Sequence, residues 1–101
     1  MLNQIVLVGR LKEAPTIKSE KGGKNSTIIT LAVPRSYRNA DGEYEVDIIN
    51  CKLWTGVAET TVEYCKKGSL LGVKGHVESL DDKMIIIAEK VTFLTSKRAD
   101  E

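Results

Sequence analysis

Apolar and polar positions change rhythm several times along the 101 residues, and each rhythm predicts an element. Residues 3–11, Asn-Gln-Ile-Val-Leu-Val-Gly-Arg-Leu, are rich in β-branched and aliphatic side chains, which predicts a largely buried strand with a bulge or sharp coil at Gly9. After Ala14-Pro15 comes a short extended piece at residues 16–19, then Lys21-Gly22-Gly23-Lys24, a glycine turn flanked by lysines. Residues 26–33 supply the second arm of that hairpin, and Pro34 should close it. Asn39-Ala40-Asp41-Gly42 is the next turn signal, so residues 35–39 are expected in an exposed loop that carries Arg35, Tyr37 and Arg38.

The stretch 43–54 sorts by strand alternation into two faces. Ile49, Cys51 and Leu53 form a core face; Ile48, Asn50, Lys52 and Trp54 form the opposite, wet one. Across residues 56–67 the period lengthens: Val57 and Ala58, Thr61 and Val62, then Cys65 recur every three to four positions. With Thr55 as N-cap, Glu59 early and Lys66-Lys67-Gly68 at the end, this predicts one short amphipathic helix. Residues 71–77 alternate again, Asp81-Asp82 makes a turn, and residues 84–94 carry Ile85-Ile86-Ile87 through a last strand. Residues 95–101 are polar and aperiodic, and should fray. The fold class is therefore all-β with one short helix. Five short strands that must hide their edges, with the helix between strands 3 and 4, give the element order of a five-stranded OB-fold barrel over residues 1–95, followed by a short polar C-terminal tail at 96–101.

Composition agrees with one folded domain: 42% hydrophobic and 29% charged residues are ordinary globular values. The longest uncharged apolar run, residues 27–34, is far below the ~18 to 20 residues of a membrane span, and the N-terminus lacks a signal-type segment, so a cytoplasmic protein with no membrane partner is expected. Cys51 and Cys65 are 14 residues apart without a CxxC, and the single His76 gives them no metal-binding company. Both cysteines sit on core-facing positions and suit packing. No paired acids, activated nucleophile or phosphate-binding glycine motif occurs, so no catalysis, metal or cofactor is assigned.

The formal net charge of +1 hides a segregation. Residues 1–40 carry seven Lys and Arg against two Glu, while residues 41–101 carry eight against twelve acidic residues. Charge alone fits either a solvated lysine face or a polyanion site. The aromatics tip the balance: Trp54 is out of phase with the core residues and in phase with Lys52, and Tyr37 lies between Arg35 and Arg38. Rings beside cations serve sequence-tolerant binding of single strands, because bases stack on the rings while phosphates follow the cations. Tyr64 and Phe93 fit packing roles, and Tyr44 stays open.

At this point the residues resemble the bacterial single-stranded DNA-binding protein family. The likeness rests on residues 2–11 (Leu-Asn-Gln-Ile-Val-Leu-Val-Gly-Arg-Leu), Thr30-Leu31-Ala32-Val33, Asp47-Ile48-Ile49-Asn50-Cys51 with Trp54, Ala58-Glu59, Lys66-Lys67-Gly68-Ser69 and Gly72-Val73-Lys74-Gly75. It covers about residues 1–95, and the motifs are specific in combination and order. The resemblance implies an OB-fold, a homotetramer with a dimer as the alternative, and single-stranded DNA wrapped over aromatics and basic loops in replication, recombination or repair near the nucleoid. Carried over residue by residue, it makes Tyr37 and Trp54 stacking positions and puts Arg10, Arg35, Arg38, Lys52 and Lys74 along the path. Lys21 and Lys24 match a DNA-contacting hairpin.

Three departures stand out. Ile48 occupies a position where relatives commonly carry a stacking Trp or Phe. The turn at residues 80–83 replaces a long flexible loop, and the chain ends at residues 96–101 where replication-type relatives continue into a linker and an acidic, partner-docking tip. These features suggest a short accessory, phage-borne or mobile-element form, or a truncated chain, with reduced docking of replication proteins. The competing expectation is a primosome-type OB-fold accessory that acts mainly through protein contacts.

Overall fold

Strand alternation decides which side chains face inward, and the strands follow that alternation around a closed barrel. The computed structural model of the chain describes residues 1–95; the tail at 96–101 lies outside the described residues. In chain order the elements are β1 (Ile5–Leu11), β2 (Lys18–Ser19), a 3-10 turn at Lys21–Gly23, β3 (Asn25–Arg38), β4 (Tyr44–Trp54), α1 (Val57–Tyr64), β5 (Leu70–Leu80) and β6 (Lys83–Phe93). The sheet runs β1-β5-β6-β4-β3-β2, and β1 returns to pair with β3. All pairings are antiparallel except β4 with β6. Leaving aside the two-residue β2, five strands form the closed barrel, and α1 connects the strand ending at Trp54 to the one beginning at Leu70. This is the expected OB-fold arrangement.

Closure depends on Gly9. A Cβ there would lie 2.7 Å from the Ala32 carbonyl oxygen and 2.9 Å from a Val33 methyl, so only glycine lets β1 approach β3. The approach ends in the pairs Arg10 with Ala32 and Leu11 with Leu31. Inside the barrel, Leu11, Ile29, Leu31, Cys51, Leu53, Leu71 and Val73 are buried, with Ala58 and Cys65 joining the same cluster from α1 and its C-terminal end. Both cysteines are buried in this core, as their phase predicts.

Four local expectations need correction. Pro34 does not end its strand: β3 continues to Arg38 and pairs with β4 through Arg38 opposite Tyr44, so the expected loop at 35–39 is mostly one side of a projecting hairpin arm. Pro34 is tolerated because it lies beyond the last β1–β3 pair, where β3 has no neighbour from β1. Two extra residues on β3 between Pro34 and Arg38 make an irregular bulge. Asn39 closes the arm, its Oδ1 accepting from the backbone N–H groups of Asp41 (2.9 Å) and Glu43 (3.0 Å).

Second, Gly56, with φ 92°, is the helix N-cap, and its N–H donates to Glu59 Oε1 at 2.8 Å. Thr55 is engaged elsewhere: its hydroxyl accepts from Asn25 N at 2.9 Å and ties the start of β3 to the end of β4. Third, α1 is shorter than residues 56–67, ending at Tyr64. Fourth, Thr95 is held, its hydroxyl accepting from Leu70 N at 2.9 Å. The β5–β6 hairpin turns as expected on Asp81 and Asp82, with φ 49° and 64°, the left-handed pair of a two-residue hairpin turn.

Candidate nucleic-acid interface

The outward face of β4 is built by its even-numbered residues, Tyr44, Val46, Ile48, Asn50, Lys52 and Trp54, while odd positions 49, 51 and 53 point toward the core. At one end, Trp54 keeps 37% of its surface exposed. Lys52 Nζ lies 4.2 Å from the centroid of the Trp54 ring, a cation–π contact that covers part of the indole and holds a positive charge beside it. Lys52 Nζ is also 3.8 Å from Glu20 of the loop after β2. Gly23 and Lys24 border a shallow hollow with Trp54 and Thr55, so the expected glycine turn delivers Lys24 to the edge of the indole. Lys21 opens the same 3-10 turn, in which Gly22 and Gly23 both have positive φ.

Ile48 is in the middle of this face, 52% exposed, and Ala32 lies directly opposite on β3. Ala32 also pairs with Arg10 of β1, so Arg10, Ala32 and Ile48 form one row across three strands. Arg10 Nη1 donates to the Gly68 carbonyl at 3.0 Å, which fixes the guanidinium beside that row. Lys74 is exposed on β5 opposite Val6, farther around the barrel.

The arm carries the rest. Arg35 Nε donates to Asp47 Oδ1 (3.2 Å) and Oδ2 (3.1 Å), Nη2 to Asp47 Oδ1 (2.9 Å), and Nη1 to Glu45 Oε2 (2.6 Å). The guanidinium thus clamps two carboxylates of β4, and its hydrogen bonds hold the Asp47 carboxyl below the usual carboxylate range. The family resemblance put Arg35 along the DNA path; the fold gives it two acidic partners that partly neutralise it. Tyr37, in the bulged stretch, is 62% exposed. Arg38 sits over the Tyr44 ring at 5.3 Å from its centroid. Glu45 and Tyr44 are neighbours on a strand, so the Arg35 clamp and the Arg38–Tyr44 pair occupy opposite faces of the arm.

The remaining polar features belong to other places. His76 Nδ1 is 2.6 Å from Glu89 Oε2 and Nε2 is 2.7 Å from Glu78 Oε2, hydrogen bonds that raise its pKa, Glu78 first. Sequence spacing did not bring Glu89 to His76. A bulge does: Lys74 pairs with Lys90 and Gly75 with Ala88, leaving Glu89 unopposed. A Cβ on Gly75 would fall 1.9 Å from the Ile87 carbonyl oxygen, so glycine is required there. Among the described residues, no group of three or more His, Cys, Asp or Glu could hold a metal ion. Tyr64 meets Phe93 with ring centroids 5.8 Å apart, as their packing role predicts, although Tyr64 stays half exposed.

A family model described as the single-strand binding protein family matches residues 2–93. The chain belongs to that family. Every basic and aromatic residue placed above falls within the matched span. "Single-stranded DNA-binding protein B" of Bacillus subtilis is 48% identical over 79 residues, which cover 78% of this chain and 70% of that protein. "Single-stranded DNA-binding protein 3" of Listeria innocua is 42% identical, covering 97% and 67%. "Single-stranded DNA-binding protein" of Bacillus cereus is 41% identical, covering 93% of this chain and 61% of the relative. These family members are thus longer than the chain that aligns with them.

Proposed function

We propose that this chain is a non-enzymatic binder of single-stranded DNA that coats exposed strands with little sequence preference in replication, recombination or repair. The observation that carries the reading is Trp54: an indole on the wet face of a barrel strand, with Lys52 against its ring and Lys24 at its border. A base stacks on the open indole surface while its phosphates meet the lysines, and every base has a π-face, so selectivity for sequence is small. The path runs over the outward faces of β3 and β4, with Lys21, Lys24 and Lys52 supplying positive charge along it, Arg10 flanking it from β1, and Lys74 on β5 meeting the strand only where it continues farther around the barrel. Tyr37 and Arg38 extend it onto the arm. Arg35 acts there by bracing the arm through Asp47 and Glu45.

Val6 and Val8 are exposed apolar residues on β1, which supports a homo-oligomer in which a second copy covers them; the family resemblance makes the tetramer the preferred form. A cytoplasmic location follows from the proposed substrate. The test uses the only Trp in the sequence as reporter. Adding oligo(dT) should quench Trp54 fluorescence at saturation, and equimolar duplex of the same length should not. Saturable binding with unchanged Trp54 emission would remove the indole from the path, and equal affinity for duplex would refute single-strand selectivity. Light scattering with and without oligo(dT) reads the oligomer.

A further inference from the structure

Trp54 is one end of the outward stripe of β4, and Tyr44 is the other. Both are aromatic, both are exposed (37% and 56%), and each carries a cation over its ring: Lys52 at 4.2 Å and Arg38 at 5.3 Å. The two sites are ten residues apart on one strand, which at ~3.3 Å per residue is roughly 33 Å of continuous face. Between them the face is open, with Val46 and Ile48 half exposed and Asn50 outward. Acidic residues of the same strand, Glu45 and Asp47, point to the other side and are occupied by Arg35. No carboxylate of β4 therefore interrupts the stripe.

We infer that Tyr44, backed by Arg38, is a second base-stacking platform, so that the single strand runs the length of β4 from Trp54 to the hairpin arm. This rests on the single-strand reading above and extends it to a residue outside the proposed path. The plainer role for the pair is a cross-strand staple: Arg38 and Tyr44 are register partners, and a cation–π contact closes the arm. A staple needs no exposed ring, and it makes no difference to ligands of different length. A stacking platform does both. It leaves one ring face to solvent, and only strands long enough to reach from Trp54 to Tyr44 sense it.

The experiment measures affinity by anisotropy of end-labelled oligo(dT) in a length series from about 4 to 16 nucleotides, which brackets the footprint of one OB-fold. Wild type, Tyr44→Leu and Tyr44→Phe are compared, with melting temperature recorded for each. Tyr44→Leu should bind the shortest oligomers as wild type does and lose about 5- to 150-fold on the longest, the fold-change expected for one lost stack. Tyr44→Phe, which keeps the ring, should match wild type at every length. Because a destabilised Leu variant would blur the comparison, the wild-type protein is also photocrosslinked to oligo(dT) carrying single 5-iodouracil substitutions. Adducts should map to Trp54 and to Tyr44 from different positions of the same strand. Wild-type affinity in Tyr44→Leu at all lengths, or adducts at Trp54 with none at Tyr44, would overturn the platform and leave single-strand binding intact. Failure of wild type to bind any oligo(dT) would overturn both.

Discussion

Replacing Ile48 by Phe or Trp tests whether the outward face of β4 accepts bases along its middle. Ile48 is 52% exposed, and across from it stands Ala32, the smallest apolar side chain, so a ring has room to lie over β3 without displacing core atoms. Overpacking a filled interior costs about 1 to 3 kcal/mol, but Ile48 is outside that interior. The melting temperature should therefore change by only a few degrees, given about 4 to 8 °C per kcal/mol for a domain of this size. One added stack contributes about 1 to 3 kcal/mol, or about 5- to 150-fold tighter binding of oligo(dT). The slope of log K against log salt should not move, because no charge is added. Affinity by anisotropy at several salt concentrations and melting by circular dichroism are read on the same preparation. A variant that melts well below wild type and binds no tighter would refute the reasoning, placing Ile48 in a packed contact and removing it from the vacant part of a binding face.

Three further outcomes follow from local chemistry. Lys52→Ala and Arg38→Ala should each reduce the salt slope by about 0.7, the loss of one phosphate contact on a single strand, whereas Arg35→Ala should leave the slope nearer wild type and lower the melting temperature by freeing the arm; an Arg35→Ala slope reduced like the other two would show that its carboxylate partners release it to the DNA. The His76 pKa is raised by Glu78 and Glu89, so its stabilising contribution is complete below the unfolded value of about 6.5 and is lost as pH climbs through the higher folded value. Wild-type melting temperature should accordingly fall over that window relative to His76→Gln, and parallel curves would dismiss the two carboxylate contacts. Burial pushes the Cys51 thiol up to about 11, so iodoacetamide at neutral pH should label Cys51 only after unfolding; rapid labelling of the folded protein would contradict its place in the core.

The barrel was legible in the sequence wherever the alternation of side chains agreed with a single neighbour on each side. The parity of residues 48–54 sorted Cys51 and Leu53 inward and Lys52 and Trp54 outward, and the structure has them so. The arm was not legible, because Pro34 marks a strand end only if β3 needs both neighbours, and the point where β1 leaves β3 is a tertiary fact. Thr55 failed as a cap for a related reason: its hydroxyl is engaged by Asn25, 30 residues away. Carrying the same parity two positions past Val46 would have put Tyr44 on the same face of β4 as Trp54, at the strand's other end, a signal present in the sequence. The carboxylate pair at Arg35 and the bulge that brings Glu89 to His76 depend on strand register, which spacing alone does not give.

The joints that close the barrel are narrower than the hairpins they connect. β1 meets β3 at only two register pairs, and β4 meets β6 at three, against ten for β3 with β4 and ten for β5 with β6. Under native conditions the molecule should therefore come apart as two hairpins before either hairpin melts, and amide hydrogen exchange resolves the order. The N–H of Lys12, bonded to Thr30 across the first joint, and the amides of β6 that face β4 would exchange through this partial opening at lower free energy than those of the long ladders. Arg10 stands on the first joint, in the row that leads to Ile48, so a strand lying across that row would bind the closed barrel better than the parted one. Slower exchange at Lys12 on adding DNA is the kinetic trace such a brace would leave.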